Sequence, residues 1–155
     1  MTSADRPLNK SAAIPLLVAA AGAVTSGYIH FYLYFEGGYR GIAPESVLGL
    51  TISRSFILTA IAGLVLAELL VAAVLWPRLT VPAALGGLTF GIGSFVAYLL
   101  ARTAGLLGFT ESTTSTEAVI ALAAEAILIV TTSLILAHAW RASRGAAVAA
   151  VSGAA

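Results

Sequence analysis

Five side chains in this sequence are of types that do chemistry and fall within long apolar runs, where ionisable and polar groups are costly: His30, Arg54, Glu68, Tyr98 and Glu125. Charged or titratable groups in such surroundings are candidates for binding, proton handling or ion pairing. By helical rise, His30 lies about 8 Å inside the end of its run, and Arg54 about 10 Å below the same end of the next. Glu125 lies about 13 Å below that end of the last run, so Arg54 and Glu125 are expected to meet and cancel much of each other's cost. The functional alternative to such a structural ion pair is a candidate ligand-binding pocket of His30, Arg54, Tyr98 and Glu125, suited to an anionic or quinone-like molecule. Glu68 lies about 21 Å from Arg54 along the same run. It has no basic partner at its depth, and is expected to be protonated or to reach water at the opposite end.

The elements that must position these residues follow from composition. The chain has 155 residues, 59% hydrophobic and 10% charged, where a soluble domain carries roughly a quarter charged residues. Four segments, 12–35, 47–76, 81–101 and 116–140, approach or exceed the roughly 20 apolar residues that cross a hydrocarbon core. Backbone groups in lipid must be satisfied within the segment, which Ala- and Leu-rich runs achieve as helices. The expected fold is all-α, a polytopic bundle of four transmembrane helices spanning 12–140. A short tail, 1–11, precedes it and a low-complexity Ala/Gly tail, 141–155, follows.

Basic residues set the orientation. Arg6, Lys10, Arg78, Arg141 and Arg144 lie on the side of both termini, and Arg40 and Arg102 on the other. This bias places both ends in the cytoplasm of a cell whose plasma, or inner, membrane holds the protein. Trp76 and Trp140, each closely followed by arginine, suit the same interface. The alternative of a cleaved secretory signal, with its small-residue site in residues 19–23, fits less well because the apolar run continues to Phe35.

Helical phase sorts the faces. In the first run Ala19, Ala23, Ser26, His30 and Tyr34 share a stripe of mostly small residues, expected to pack inward because small side chains let membrane helices approach closely. Tyr28, Tyr32 and Phe35 lie nearly opposite, as an interfacial aromatic belt. In the second run Arg54 and Glu68 share a stripe with Thr51, Leu58, Ile61, Val65 and Ala72, read as the interior face. Ala60, Gly63 and Ala67 form a second face for a further packing contact. In the third, Gly87, Gly91, Ser94 and Tyr98 form a G-x-x-x-G face that touches another helix, within the bundle or across a dimer.

The connections carry turn and capping residues. Pro44 with Glu45-Ser46, and Ser115 before Thr116 and Glu117, are expected helix starts. Pro77 and Pro82 bracket a short turn. The two longer loops read G-x-x-G-I-x-x-E-S from Gly38 and G-x-x-G-F-x-E-S from Gly105, which is one way of reading the chain as two repeated hairpins.

Several chemistries are excluded. With no cysteine there is no disulfide, thiolate nucleophile or Cys-ligated metal. A balance of 8 Lys+Arg against 7 Asp+Glu offers no basic surface for nucleic acid. No P-loop, dinucleotide fingerprint, H-E-x-x-H or serine elbow is present. His30 and His138 lie towards opposite ends and cannot share one haem within a monomer, so a haem would have to bridge two copies of His30. No metal site or cofactor is expected.

The pattern His30-Phe-Tyr-Leu-Tyr, then Gly38-Tyr39-Arg40 and Ile42, and later Gly108-Phe109-x-Glu111 with Glu125, resembles small, functionally uncharacterised four-helix membrane proteins of high-GC bacteria. These are similar to DoxX-type bundles in size and topology. The resemblance implies the fold and carries no activity; Arg54 stands where it would lead one to expect an apolar residue. The expected role is a non-enzymatic component or accessory subunit that packs in the lipid bilayer with a second copy or a larger complex. The alternatives are a small carrier or ligand-binding protein and, third, a quinone or haem redox protein.

Overall fold

The structure, a computed structural model, describes residues 10–42 and 47–152, with side chains described for 13–42 and 47–145. It is all-α: α1 is Lys10–Phe35, α2 Ile52–Leu75, α3 Thr80–Thr103 and α4 Thr116–Ser152. All four are long and apolar enough to cross a membrane. They follow one another up and down, with α1 packed most extensively on α2 and α4, α3 on α4, and a thinner seam between α2 and α3. Both ends of the bundle's chain therefore lie at one end, and the two longer loops at the other.

The termini of the helices follow local chemistry. Ser115 caps α4, its Oγ accepting from the Ala118 N–H at 3.2 Å. Between α2 and α3, a single 3-10 turn at Pro77–Leu79 suffices, and Pro82 sits in the first turn of α3, where a missing N–H costs little. α2 begins at Ile52, not near residue 47: Thr51 is its N-cap, its Oγ1 accepting from the Arg54 N–H at 3.1 Å. The apolar residues 47–50 instead form a tight turn, with Val47 and Leu50 exchanging backbone hydrogen bonds and Leu48 and Gly49 at φ 54° and 79°. A two-residue turn of this hand needs left-handed backbone at both central positions, which Gly49 adopts freely and Leu48 does not. The expected start at Pro44–Glu45–Ser46 falls outside the described residues.

At its other extremity α4 continues well past Trp140, through Arg141 and Arg144 to Ser152. The Ala-rich composition that reads as a low-complexity tail is also the strongest helix-forming composition. Arg144 lies over the Trp140 ring at 4.7 Å.

The core occupies the half of the bundle nearest the chain ends, where Leu16, Leu66, Leu70, Ala73, Ala84 and Leu128 interlock. Here the helices meet through small residues. A Cβ on Gly63 would lie 2.9 Å from the Ala23 carbonyl oxygen and from Gly27 Cα, and one on Gly87 or Gly91 would strike Thr132 or Ile129 of α4. The Gly87/Gly91 face is thus consumed by α4 within the chain. The face of Ala60, Gly63 and Ala67 is likewise the interior face of α2. Arg54, Leu58, Ile61, Val65 and Glu68, expected inside, are exposed. The reason is physical: lipid solvates Leu, Ile and Val as well as a protein core does, so close backbone approach by small residues decides which face turns inward. α1 follows the expectation, with Ala19, Ala23 and Ser26 buried and Tyr28, Tyr32 and Phe35 exposed.

Candidate ligand-binding cavity

Above the packed half, towards the longer loops, the four helices part around a cavity of about 280 Å³. Its walls are mainly apolar, from Leu33, Ile52, Phe56, Ala97, Leu122 and their neighbours, and its polar groups are few. This is the usual make-up of a small-molecule site. For scale, an apolar cavity of about 150 Å³ accommodates benzene.

Its titratable groups below the mouth are His30 and Glu125, set beside the hydroxyls of Ser55, Thr59 and Ser94. Ser26 Oγ donates to Glu125 Oε1 at 2.9 Å, joining α1 to α4. One turn further along α1, His30 Nδ1 donates to the Ser26 carbonyl oxygen at 2.8 Å, which leaves Nε2 as the ring's unspent nitrogen. Ser26 is fully buried and Glu125 is only 2% exposed. Glu125 Oε2 has no hydrogen bond to any of the described residues and is not among their sealed, unsatisfied atoms, so it borders the cavity.

The mouth is aromatic. Tyr39, on a 3-10 turn at Tyr39–Gly41, stacks on Phe56 with ring centroids 4.1 Å apart, and Phe109 meets Tyr39 edge-on at 5.5 Å. Phe56 in turn contacts the His30 ring at 5.3 Å. Tyr39 donates its hydroxyl proton to Glu111 Oε2, while Ser53 Oγ donates to the Tyr39 carbonyl at 2.8 Å. Burial, then the Glu111 carboxylate, push the Tyr39 hydroxyl well above the ordinary tyrosine range. Glu111 is held by its backbone: its N–H reaches the Ala101 carbonyl at 2.9 Å and its carbonyl accepts from Arg102 Nη1 at 3.1 Å. The supporting turn, Leu106 to Phe109, is a second tight turn, with Leu107 and Gly108 at φ 50° and 71°. Gly38 and Gly105 share a left-handed backbone, but the counterpart of Gly108 is Gly49, not Gly41. The repeat read from the loops therefore has a different register in space.

No family model, curated protein or solved structure matches the chain.

The cavity brings together three of the four expected ligand-site residues: His30, Tyr98 and Glu125. Tyr98 stands on the α3 wall, its hydroxyl 3.3 Å from Thr114 Oγ1. Arg54 is not with them. With α2 starting at Ile52, Arg54 is only about 3 Å into its helix and exposed, far shallower than Glu125. Its Nη1 donates instead to the Gly49 carbonyl at 2.6 Å. The expected Arg54–Glu125 pair is thus absent. Glu68 also stays apart, exposed on the outward side of α2 about 10 Å from that helix's far end.

Ser26, Tyr39, Phe56, Phe109 and Glu111 join the site without having been expected there. For Ser26 the signal was present. It lies nine residues before the end of α1, and Glu125 nine residues after the start of α4, so both sit about 13 Å deep. A buried carboxyl without a cation needs a hydrogen-bond donor at its own depth. Among the described residues no cluster of three or more His, Cys, Asp or Glu has the arrangement of a metal site.

Proposed function

We propose that this is a multi-pass membrane protein that binds a small molecule non-catalytically in the cavity among its four helices. The observation that carries this reading is the cavity itself: apolar walls, an aromatic mouth, and a buried carboxyl with one oxygen left open. The basic-residue bias supports cytoplasmic termini in a bacterial inner membrane, which puts the cavity in the outer leaflet half. The likeness to DoxX-type bundles stays one of size and topology.

A cysteine-free chain makes the test direct. In purified full-length protein, Ala97→Cys puts a thiol on the cavity wall, and Ala84→Cys puts one in the closed core. N-ethylmaleimide is expected to label Cys at 97 and spare Cys at 84. Benzyltrimethylammonium or its uncharged isostere, neopentylbenzene, is expected to slow labelling at 97. A thiol at 97 as inert as that at 84, or one that neither compound protects, would overturn the reading.

A second reading rests on Glu68. A carboxyl facing outward at that depth is costly in lipid, and a partner helix on the exposed face of α2 would relieve the cost. This supports the accessory-subunit role, with a second copy or a larger complex as partner, alongside ligand binding.

A further inference from the structure

The charge around the cavity specifies what it holds. Among the described residues its lining includes two carboxyl groups, Glu125 at the floor and Glu111 at the mouth, and neither Lys nor Arg. Arg102 lies beside Glu111 but gives its Nη1 to the backbone oxygen, outside the lining. Beyond the mouth a second depression of about 430 Å³ shares Leu33, Tyr39, Phe109 and Glu111 with the cavity and adds Glu36 and Glu117. An entering molecule would thus pass an acidic vestibule, then a partition made by the Tyr39–Glu111 hydrogen bond and Phe109, then an aromatic wall, and end against Glu125.

We propose that the ligand is a small organic cation with an apolar body, an amine or quaternary ammonium, with Glu125 as its counter-charge. The proposal rests on the ligand-binding reading above and names the class of ligand. A cation entering a low-dielectric cavity loses its hydration and needs an opposite charge close by. Glu125 Oε2 is the open acceptor for it. The aromatic side chains of Phe56, Tyr39 and Tyr98 are among the lining, and aromatic rings supply the cation–π attraction that such ligands use. An anion would meet two carboxyl groups and no fixed cation, which removes the anionic ligand that Arg54 suggested. An inorganic metal ion would find no ligand cluster among the described residues. The vestibule carboxylates raise the local concentration of cations and speed their entry at low salt.

The test uses the matched pair of probes, which share shape and differ in charge. In full-length protein carrying Ala97→Cys, benzyltrimethylammonium is expected to half-protect the thiol at a concentration at least about tenfold below neopentylbenzene. Glu125→Gln, whose amide oxygen still accepts from Ser26, is expected to remove that advantage and leave neopentylbenzene unchanged. Glu125→Asp, which keeps the charge, is expected to retain it in part. Equal protection by the two probes in the parent protein would overturn the cation assignment while leaving the cavity reading standing, and needs no variant to fold. Loss of the preference in Glu125→Asp as complete as in Glu125→Gln would show that charge is not what is recognised. Failure of both probes to protect would instead remove the cavity reading and the cation proposal with it.

Discussion

Replacing Ser26 by alanine is expected to destabilise the folded protein by about 1–3 kcal/mol, the cost of leaving a buried polar group without its partner. The hydroxyl of Ser26 is the donor that satisfies Glu125 Oε1, from a fully buried position. Nothing else in α1 at that depth replaces it, since His30 Nδ1 is committed to the Ser26 backbone. The same argument predicts that Ser26→Ala combined with Glu125→Leu is far milder than Ser26→Ala alone, because the orphaned acceptor is gone. Thermal melting in a non-ionic detergent, followed by circular dichroism, reads both. If Ser26→Ala melts with the parent, the bond contributes nothing and the floor of the cavity is organised differently.

A second large effect is expected where α1 crosses α2. Gly63→Ala adds a Cβ that would come within 2.9 Å of two backbone atoms of α1, the Ala23 oxygen and Gly27 Cα. Backbone cannot rotate aside as a flexible side chain does, so the helices must separate. Overpacking of this kind costs typically about 1–3 kcal/mol, and Gly63→Leu should exceed Gly63→Ala. Gly93 is the control. It lies in α3 with open space where its Cβ would go, and Gly93→Ala should be neutral or gain up to about 1 kcal/mol from helix propensity. Equal melting of Gly63→Ala and Gly93→Ala would mean that α1 and α2 do not meet at this crossing.

These two sites also show how far the sequence can be read. Helix number and rough position follow from apolar run length, and the faces of α1 follow because its small and aromatic residues segregate cleanly. α2 gives a weaker contrast. Large apolar residues flank both the stripe of Arg54 and Glu68 and the small-residue face of Ala60, Gly63 and Ala67, so hydrophobic periodicity does not choose between them, although the small-residue face is itself legible as a packing contact. What turns Gly63 inward is the closeness of backbones, a property of helix pairs in lipid and not of hydrophobicity along one helix. The start of α2 was hidden for a related reason: Val47, Leu48 and Leu50 look like more helix, while Leu48-Gly49 forms a left-handed turn and Thr51 holds the cap. That shift of about five residues moved Arg54 from mid-depth to the helix's first turn, and with it went the expected ion pair. His30, Tyr98 and Glu125 were legible because each falls on a helix face whose direction or depth was right. Tyr39, Phe109 and Glu111 come from loops, whose path over the bundle end no periodicity encodes.

The claim on which the cavity and its ligand both rest is that Glu125 is free of Arg54 and open to a bound molecule. A double-mutant cycle of Arg54→Leu, Glu125→Leu and the double variant, measured by detergent melting, tests it most directly. The predicted coupling is zero within about 0.5 kcal/mol, with Arg54→Leu nearly neutral, as for distant, independent sites. A coupling approaching the 3–5 kcal/mol typical of breaking a buried ion pair would contradict the account, because the carboxyl assigned to the ligand would already have its cation.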